Sequence, residues 1–309
     1  MEALENEKGS DQGFRSGFVT LLGRPNSGKS TLINAVMGKK LAITSDTPQT
    51  TRHRFRAIRS TDAYQLILVD TPGIHKPHNV LGEELNLSAQ KAIESVDAIA
   101  FVLDATKPFG TGDEWIVDII KATNIPRFLV ISKTDLADKG TISSQIAAAR
   151  AAGDFDSVVD VSAVEGKGIE TFVELAVSFL PQGPLWFPAD MTCDQPIEVI
   201  ISEFIREKVI VNTFDEVPHA TCVQVEEFSF DKKKGLYSIY ANIYVGRDSQ
   251  KGILIGTGGE KIKQIGTQAR IDLAHMLGGQ VFLELRVKLR KAWWKDLGQI
   301  RRFGYGEGS

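Results

Sequence analysis

Gly23-Arg24-Pro25-Asn26-Ser27-Gly28-Lys29-Ser30 follows the apolar run 18–22 and precedes a helical pattern, and that order of strand, loop and helix decides the fold. Gly23 and Gly28 let the loop curl so that successive N–H groups face inward, and the next helix points its positive end at the same spot. A triphosphate fits such a cradle. Lys29 reaches its outer phosphates as a point charge, the Ser30 hydroxyl is a ligand for a bridging magnesium ion, and Thr31 continues the set into the helix.

Working outward, a second apolar strand at 64–69 ends in Asp70-Thr71-Pro72-Gly73. A carboxylate at that strand end holds magnesium through water, and the glycine can swing toward a terminal phosphate. Taken alone, the tetrapeptide is a turn; its place about forty residues after the loop makes it part of the same site. A third strand, 128–131, leads into Ser132-Lys133-Thr134-Asp135. The Asp135 carboxylate accepts two hydrogen bonds from N1 and the amino group of guanine, a donor pair that adenine lacks, so the base is guanine. A strand near 157–161 then presents the Ser162-Ala163 backbone toward the guanine O6.

These motifs, together with Pro48-Gln49-Thr50-Thr51-Arg52-His53-Arg54 between loop and second strand, resemble the Era family of bacterial ribosome-assembly GTPases over roughly residues 16–300. The resemblance implies that one threonine of the 50–51 pair, Thr51 in preference, closes over magnesium beside Ser30 and Asp70 when the third phosphate is present. By its own composition the segment reads as an exposed, basic, mobile loop, the form expected with GDP. Two departures matter. Most relatives carry Asn where Ser132 stands, to brace the loop and touch the purine; Ser is too short for both, which predicts guanine binding weakened by about fivefold. Ile74 follows Gly73 where Ras-like enzymes place a glutamine, so no side-chain base serves the attacking water. Catalysis then rests on position and charge, with Lys29, Asn26 and Thr51 as the catalytic set. Relatives with Asn at position 26 often bind potassium there, which implies slow turnover that rises with potassium.

Composition agrees with a two-domain globular chain: 309 residues, 42% apolar and 24% charged. No apolar run approaches a membrane span, and the acidic, polar start at 1–13 is unlike a signal peptide and reads as a disordered tail, counted to residue 15. Two distant cysteines, Cys193 and Cys222, point to reduced thiols in the cytoplasm and away from zinc. Net charge is −3, but from residue 196 onward 17 Lys plus Arg face 14 Asp plus Glu, against 19 and 25 before it. The second half is therefore the surface for an anionic partner.

Residues 16–180 alternate strands with helices, 79–95 and 113–123 among them, the pattern of an α/β, mostly parallel sheet with helices on both faces. The proline-rich stretch 181–196 reads as a linker. Beyond it, at 197–309, a helix at 197–211, strands at 220–230 and 236–245, a helix at 261–277 and a strand at 281–289 read as a smaller α+β domain. Its Gly256-Thr257-Gly258-Gly259 resembles the clamp loop of a KH domain of the prokaryotic type II order. A glycine-rich turn admits a nucleic-acid backbone, and the helix start attracts phosphate. Ile253, Ile255 and Ile262 can support unstacked bases, while Lys251, Lys261, Lys263, Arg270 and Arg290 supply charge. Arg286, Lys288, Lys291, Trp293, Trp294, Lys295, Arg301 and Arg302 mix cations with rings as a stacking surface does, though at least one Trp is expected in the core. His75, His78, His219 and His275 form no constellation.

The resulting expectation is a monomeric, magnesium-dependent GTPase whose nucleotide state sets its hold on RNA. By resemblance, that RNA is the single-stranded 3′ end of small-subunit ribosomal RNA, in assembly of the 30S subunit. Two rivals are an RNA-binding module with a decayed nucleotide site, and a signalling GTPase whose basic tail associates with the inner face of the cell membrane.

Overall fold

The apolar runs become strands whose alternate residues serve opposite faces of one sheet. The computed structural model describes residues 13–45, 47, 50–74, 77 and 79–305; the readings made at 1–12, Pro48, Gln49, His75 and His78 lie outside them. The first domain runs β1 (Arg15–Leu22), α1 (Lys29–Met37), β2 (Phe55–Ser60), β3 (Tyr64–Asp70), α2 (Val80–Lys91), β4 (Ala98–Asp104), α3 (Thr111–Lys121), β5 (Arg127–Ser132), α4 (Lys139–Ala152), β6 (Ser157–Asp160) and α5 (Ile169–Ser178). Its strand order is β2-β3-β1-β4-β5-β6, parallel throughout except where β2 runs antiparallel to β3. In β4 every residue is buried: Ala98, Ala100 and Val102 join the core on one face, and Ile99, Phe101 and Leu103 that on the other. Such two-sided burial is what a parallel sheet covered by helices demands. β1 lies between β3 and β4, so the loop leaving it opens at the point where the strand order reverses, where open sheets bind ligands.

The helix expected at 79–95 begins later and ends earlier. Asn79 is its N-cap, its side chain accepting from the Gly82 N–H at 2.9 Å, and the last residues form turns. The helix expected at 113–123 starts at Thr111, because Asp113 belongs to its first turn and accepts the Gly110 N–H.

The second domain contains α6 (Ile197–Val211), β7 (Cys222–Asp231), β8 (Leu236–Val245), α7 (Asp248–Ile255), α8 (Glu260–Leu277), β9 (Gln280–Leu289) and α9 (Leu297–Arg302). Its sheet, β7-β8-β9, pairs β8 antiparallel with β7 and parallel with β9. The expected bounds of α6 and β8 hold to the residue; α7 was not expected.

Segment 181–196 is strapped to the first sheet. Ser16 N–H donates to Pro181 O at 3.1 Å, Ile58 N–H donates to Thr192 O at 3.0 Å, and Gln65 bonds Trp186 and Phe187. The domains also share two cores. Ile43, from the loop after α1, is 3% exposed and packs with Ile201, Phe204 and Ile205 of α6. Leu81 and Leu85 of α2 pack with Cys222, Tyr244, Trp293, Phe303 and Tyr305.

Candidate nucleotide and RNA sites

The loop 23–30 wraps a cavity of about 350 Å³ lined by Asn26, Lys29, Ser30, Thr31, Thr51, Gly73 and Lys133 among others. α1 starts at Lys29, capped by Gly28 in the left-handed region at φ 94°. At Gly23 the requirement is closeness rather than curl, since a Cβ there would stand 2.4 Å from the Val102 carbonyl oxygen. Pro25 backbone packs on Gly73, where a Cβ would meet it at 2.7 Å, so the strand-end glycine walls the cavity. Arg24 turns its side chain away to Asp113 at 3.1 Å and offers only backbone.

Lys29 Nζ donates to the carbonyls of Gly23 and Arg24, both at 3.0 Å. Burial pushes its pKa down to about 8, against the attraction of Asp70. Burial likewise pushes the Asp70 carboxyl up to about 6, against Lys29 and the Ser30 hydroxyl. Ser30 Oγ lies 2.9 Å from both Thr51 Oγ1 and Asp70 Oδ2, so the three candidate magnesium ligands converge. Asp70 Oδ1 is buried without a hydrogen-bond partner. Three hard oxygen donors, with an orphaned carboxylate oxygen among them, fit magnesium. Of the threonine pair, Thr50 is excluded by its own bonds: Oγ1 contacts Ser45 Oγ at 2.7 Å and Thr47 O at 2.6 Å.

Ser132 Oγ donates to the Ser27 carbonyl at 2.6 Å, with Leu103 O a longer, shared acceptor at 3.2 Å, so its hydroxyl does brace the loop. A hydroxyl has one proton, and here that proton is committed away from the base. Lys133 makes a second brace, donating to Asn26 O at 2.8 Å and Asp104 Oδ2 at 2.7 Å. Burial raises the Asp104 pKa, but bonds from Lys133 and Thr106 outweigh it and leave the carboxyl below its ordinary range. Asp104 escaped the sequence reading, although it faces Ser132 in register at a strand end as Asp70 does. Asp135 is exposed, its Oδ1 accepting from Ser162 Oγ at 2.7 Å. Ser162 thus adds a side-chain contact to its expected backbone role, and Ala163 follows it, half-buried.

In the second domain α7 delivers the chain to Gly256, Gly258 and Gly259, with φ of 72°, 59° and 83°, and α8 begins at Glu260. Ile253 is exposed, Ile255 and Ile262 are half-buried, and Thr257, Lys263 and Arg270 are exposed, while Lys251 and Lys261 are half-buried beside the loop. Arg290 instead lies over Tyr244, 5.8 Å from the ring centre, with Nε buried. In the C-terminal stretch the expected core tryptophan is Trp293, and Trp294 is half-buried rather than an open stacking ring. Trp293 is fully buried, donates Nε1–H to Ala220 O at 2.8 Å and packs on Phe303 and Tyr305. Trp294 covers Gly246. The cations Arg286, Lys288, Lys291, Lys295, Arg301 and Arg302 remain exposed.

The basic segment 50–54 is docked through Thr50, Arg52 and His53, while Arg54 is exposed. Arg52, 2% exposed, donates to the carbonyls of Thr221 at 2.7 Å, Pro218 at 3.1 Å and His219 at 3.0 Å, across the domain boundary. His53 lies 3.7 Å from Glu203 and against Tyr305.

Residues 18–133 match the family model described as a 50S ribosome-binding GTPase, and residues 216–294 match that of the KH domain. The chain is 45% identical over 296 residues to GTPase Era of Geobacter metallireducens, covering 96% of this chain and 99% of that protein. Among solved structures it is similar to a variant of Aquifex aeolicus Era bound to GDP and aluminium fluoride, with a TM-score of 0.90, 34% identity, and coverage of 94% of this chain and 99% of that one. It is equally similar to Era in complex with MgGDPNP and nucleotides 1506–1542 of 16S ribosomal RNA, with a TM-score of 0.91, 34% identity, and coverage of 95% and 99%. No helix among the described residues is long and apolar enough to cross a membrane.

Proposed function

The chain belongs to the Era family of GTPases, and from that premise we propose that it uses GTP with magnesium to control the grip of its KH domain on the 3′ end of small-subunit ribosomal RNA during 30S assembly. The observation that carries this reading is the convergence of Ser30, Thr51 and Asp70 beside Lys29, with Thr51 on a loop that is itself docked to the RNA-binding domain. We divide the chain into a GTPase domain at 16–180, a strap at 181–196 and a KH-type domain at 197–309.

Ser30, Thr51 and Asp70 would hold magnesium, which when bound would supply positive charge to the phosphates. The amides of residues 24–31 cradle the phosphates. Lys29 exchanges its two carbonyl partners for phosphate oxygens, and the Gly73 N–H faces the terminal phosphate. Ile74, 1% exposed, provides no base, so water is oriented by charge and backbone alone. Asp135, steadied by Ser162, reads the guanine edge, and Ser132 and Lys133 keep the phosphate loop in register with it. Asn26, left-handed at φ 63° and lining the cavity, is the group through which potassium would add charge to the developing transition state. On the RNA side, Gly256–Gly259 admit the backbone while Lys251, Lys261, Lys263 and Arg270 meet phosphates. The protein acts as a monomer in the cytoplasm.

Phosphate release tests this directly, measured in potassium and in sodium buffer, with and without RNA ending in the small-subunit 3′ sequence, beside Lys29→Ala. Turnover that rises with that RNA and with potassium, and vanishes in the variant, is expected. RNA-independent turnover would detach the two halves, equal rates in the two salts would remove the potassium role, and RNA binding without any turnover would leave a decayed site.

A further inference from the structure

The loop that carries Thr51 is gripped by the other domain on both sides of that residue. Upstream, Thr50 O accepts a bond from Arg206 Nη2 of α6. Downstream, the Arg52 side chain is anchored on carbonyls at 218, 219 and 221. Further upstream the next residue of α6, Glu207, accepts the Thr44 N–H at 3.0 Å and pairs with Lys40 Nζ at 2.5 Å. Between these holds, Thr51 itself faces the metal site at Ser30.

We infer that Arg206, in the RNA-binding domain, is a positioning residue for Thr51, so that the magnesium site of the first domain is complete only while α6 is docked on the loop. The 50–51 peptide unit is rigid, so fixing its carbonyl oxygen fixes the direction from which Thr51 leaves it. Arg206 is suited to this. It is fully buried, and Glu203, one turn earlier on α6, accepts its Nε–H at 2.8 Å and sets the plane of the guanidinium. A guanidinium held in one plane gives a directional bond that an ammonium on a flexible stem does not. Its Nη1 has no hydrogen-bond partner and Arg52 lies nearby with the same charge, so the arrangement is costly to bury. A displacement of about 1 Å at a group that orients reacting atoms costs on the order of a hundredfold in rate, and partial release of one loop bond a fraction of that. By linkage, a ligand that tightens Thr51 on its metal tightens α6 on the loop, and RNA that moves α6 alters the metal site.

The inference rests on the reading of Thr51 as a metal ligand, and the test separates the two. Full-length wild type, Arg206→Met, Arg206→Lys, Glu203→Gln and Thr51→Ala are compared for kcat and KM of GTP hydrolysis. The magnesium midpoint with a non-hydrolysable GTP analogue, GDP affinity and thermal unfolding are measured alongside. Arg206→Met is expected to lower kcat about tenfold and raise the magnesium midpoint several-fold in the GTP-analogue complex only, leaving GDP affinity unchanged. Arg206→Lys recovers part of the loss, and Glu203→Gln shifts the midpoint in the same direction. Unchanged kcat and midpoint in folded Arg206→Met, with both impaired in Thr51→Ala, would overturn the inference alone. Unimpaired Thr51→Ala would overturn the metal-ligand reading beneath it. An equal loss of GDP and GTP-analogue affinity in Arg206→Met would also overturn the inference, as general distortion. Where Arg206→Met does not fold, the Glu203→Gln midpoint decides: a shift supports the inference, no shift overturns it.

Discussion

Two buried charge clusters flank the Thr51 loop, and they are finished differently. Around Lys29 and Asp70 protein contacts fall short of the cost of burial: Lys29 has two carbonyls and Asp70 has Ser30, yet burial holds the lysine down at about 8 and the carboxyl up at about 6, and Asp70 Oδ1 has no partner. Around Arg52 and Arg206 most of the polarity is already met by protein. Arg52 donates to three backbone carbonyls and Arg206 to Glu203 and Thr50 O, which leaves, among the described residues of this cluster, only Arg52 Nε and Arg206 Nη1 without a partner. Unmet polarity in a walled cavity marks a place where a ligand belongs, whereas polarity met by backbone marks a seam. The first cluster is therefore expected to control chemistry, the second stability and communication.

The largest effect expected to follow from this contrast is at Lys29. Lys29→Ala removes the cation proposed to meet the outer phosphates and should lower turnover about a hundredfold or more in a phosphate-release assay, with little change in unfolding midpoint. Arg52→Leu should do the reverse. It strands three carbonyls in a buried seam and should cost about 3 kcal/mol in urea denaturation of the full chain, and a loss under about 1 kcal/mol would break the comparison. Ser132→Asn restores a second donor and should tighten GDP about fivefold in a fluorescence titration.

The smallest effect is one of pH. Asp70 must lose its proton to hold a cation, so lowering pH from 7.5 to 5.5 should weaken magnesium affinity about fourfold, with Asp70→Asn flat across the range. The same pair fixes a stability profile for the nucleotide-free protein. The raised Asp70 pKa means the folded chain binds the extra proton, so its contribution is lost as pH rises from about 4 through about 6. The lowered Lys29 pKa means the unfolded chain binds the extra proton, so stability is regained as pH rises from about 8 toward 10.5. Between about 6 and 8 the pair therefore imposes its full penalty, consistent with groups kept for a ligand.

What was legible in the sequence follows the same division. The loop 23–30 and the residues at 70, 73, 132, 135 and 162 were readable because each sits at the end of an apolar strand, where position is fixed by local pattern and the parallel sheet brings those ends together. Helix α6 was readable to the residue from its apolar face. α7 was missed because it has eight residues, opens polar and contains Gly252. That one tryptophan is core was legible, but not which: rings and cations have the same composition on a stacking surface as in a seam, and the burial of Trp293 depends on Leu81 and Leu85 arriving from α2. Arg52 looked like one more charge in a basic loop, since the carbonyl at 221 that buries it lies 169 residues away. Opposite charges at i, i+3 spacing in α6, as Glu203 and Arg206 are, were the one available hint.

The most direct test of the central claim, that one loop joins the metal site to the RNA-binding domain, is the affinity of the full-length protein for RNA ending in the small-subunit 3′ sequence, titrated with magnesium and either GDP or a non-hydrolysable GTP analogue. Tighter binding in the GTP-analogue complex by about fivefold or more is predicted, the scale of an ordinary coupling between sites. Equal affinities in the two nucleotide states would contradict it.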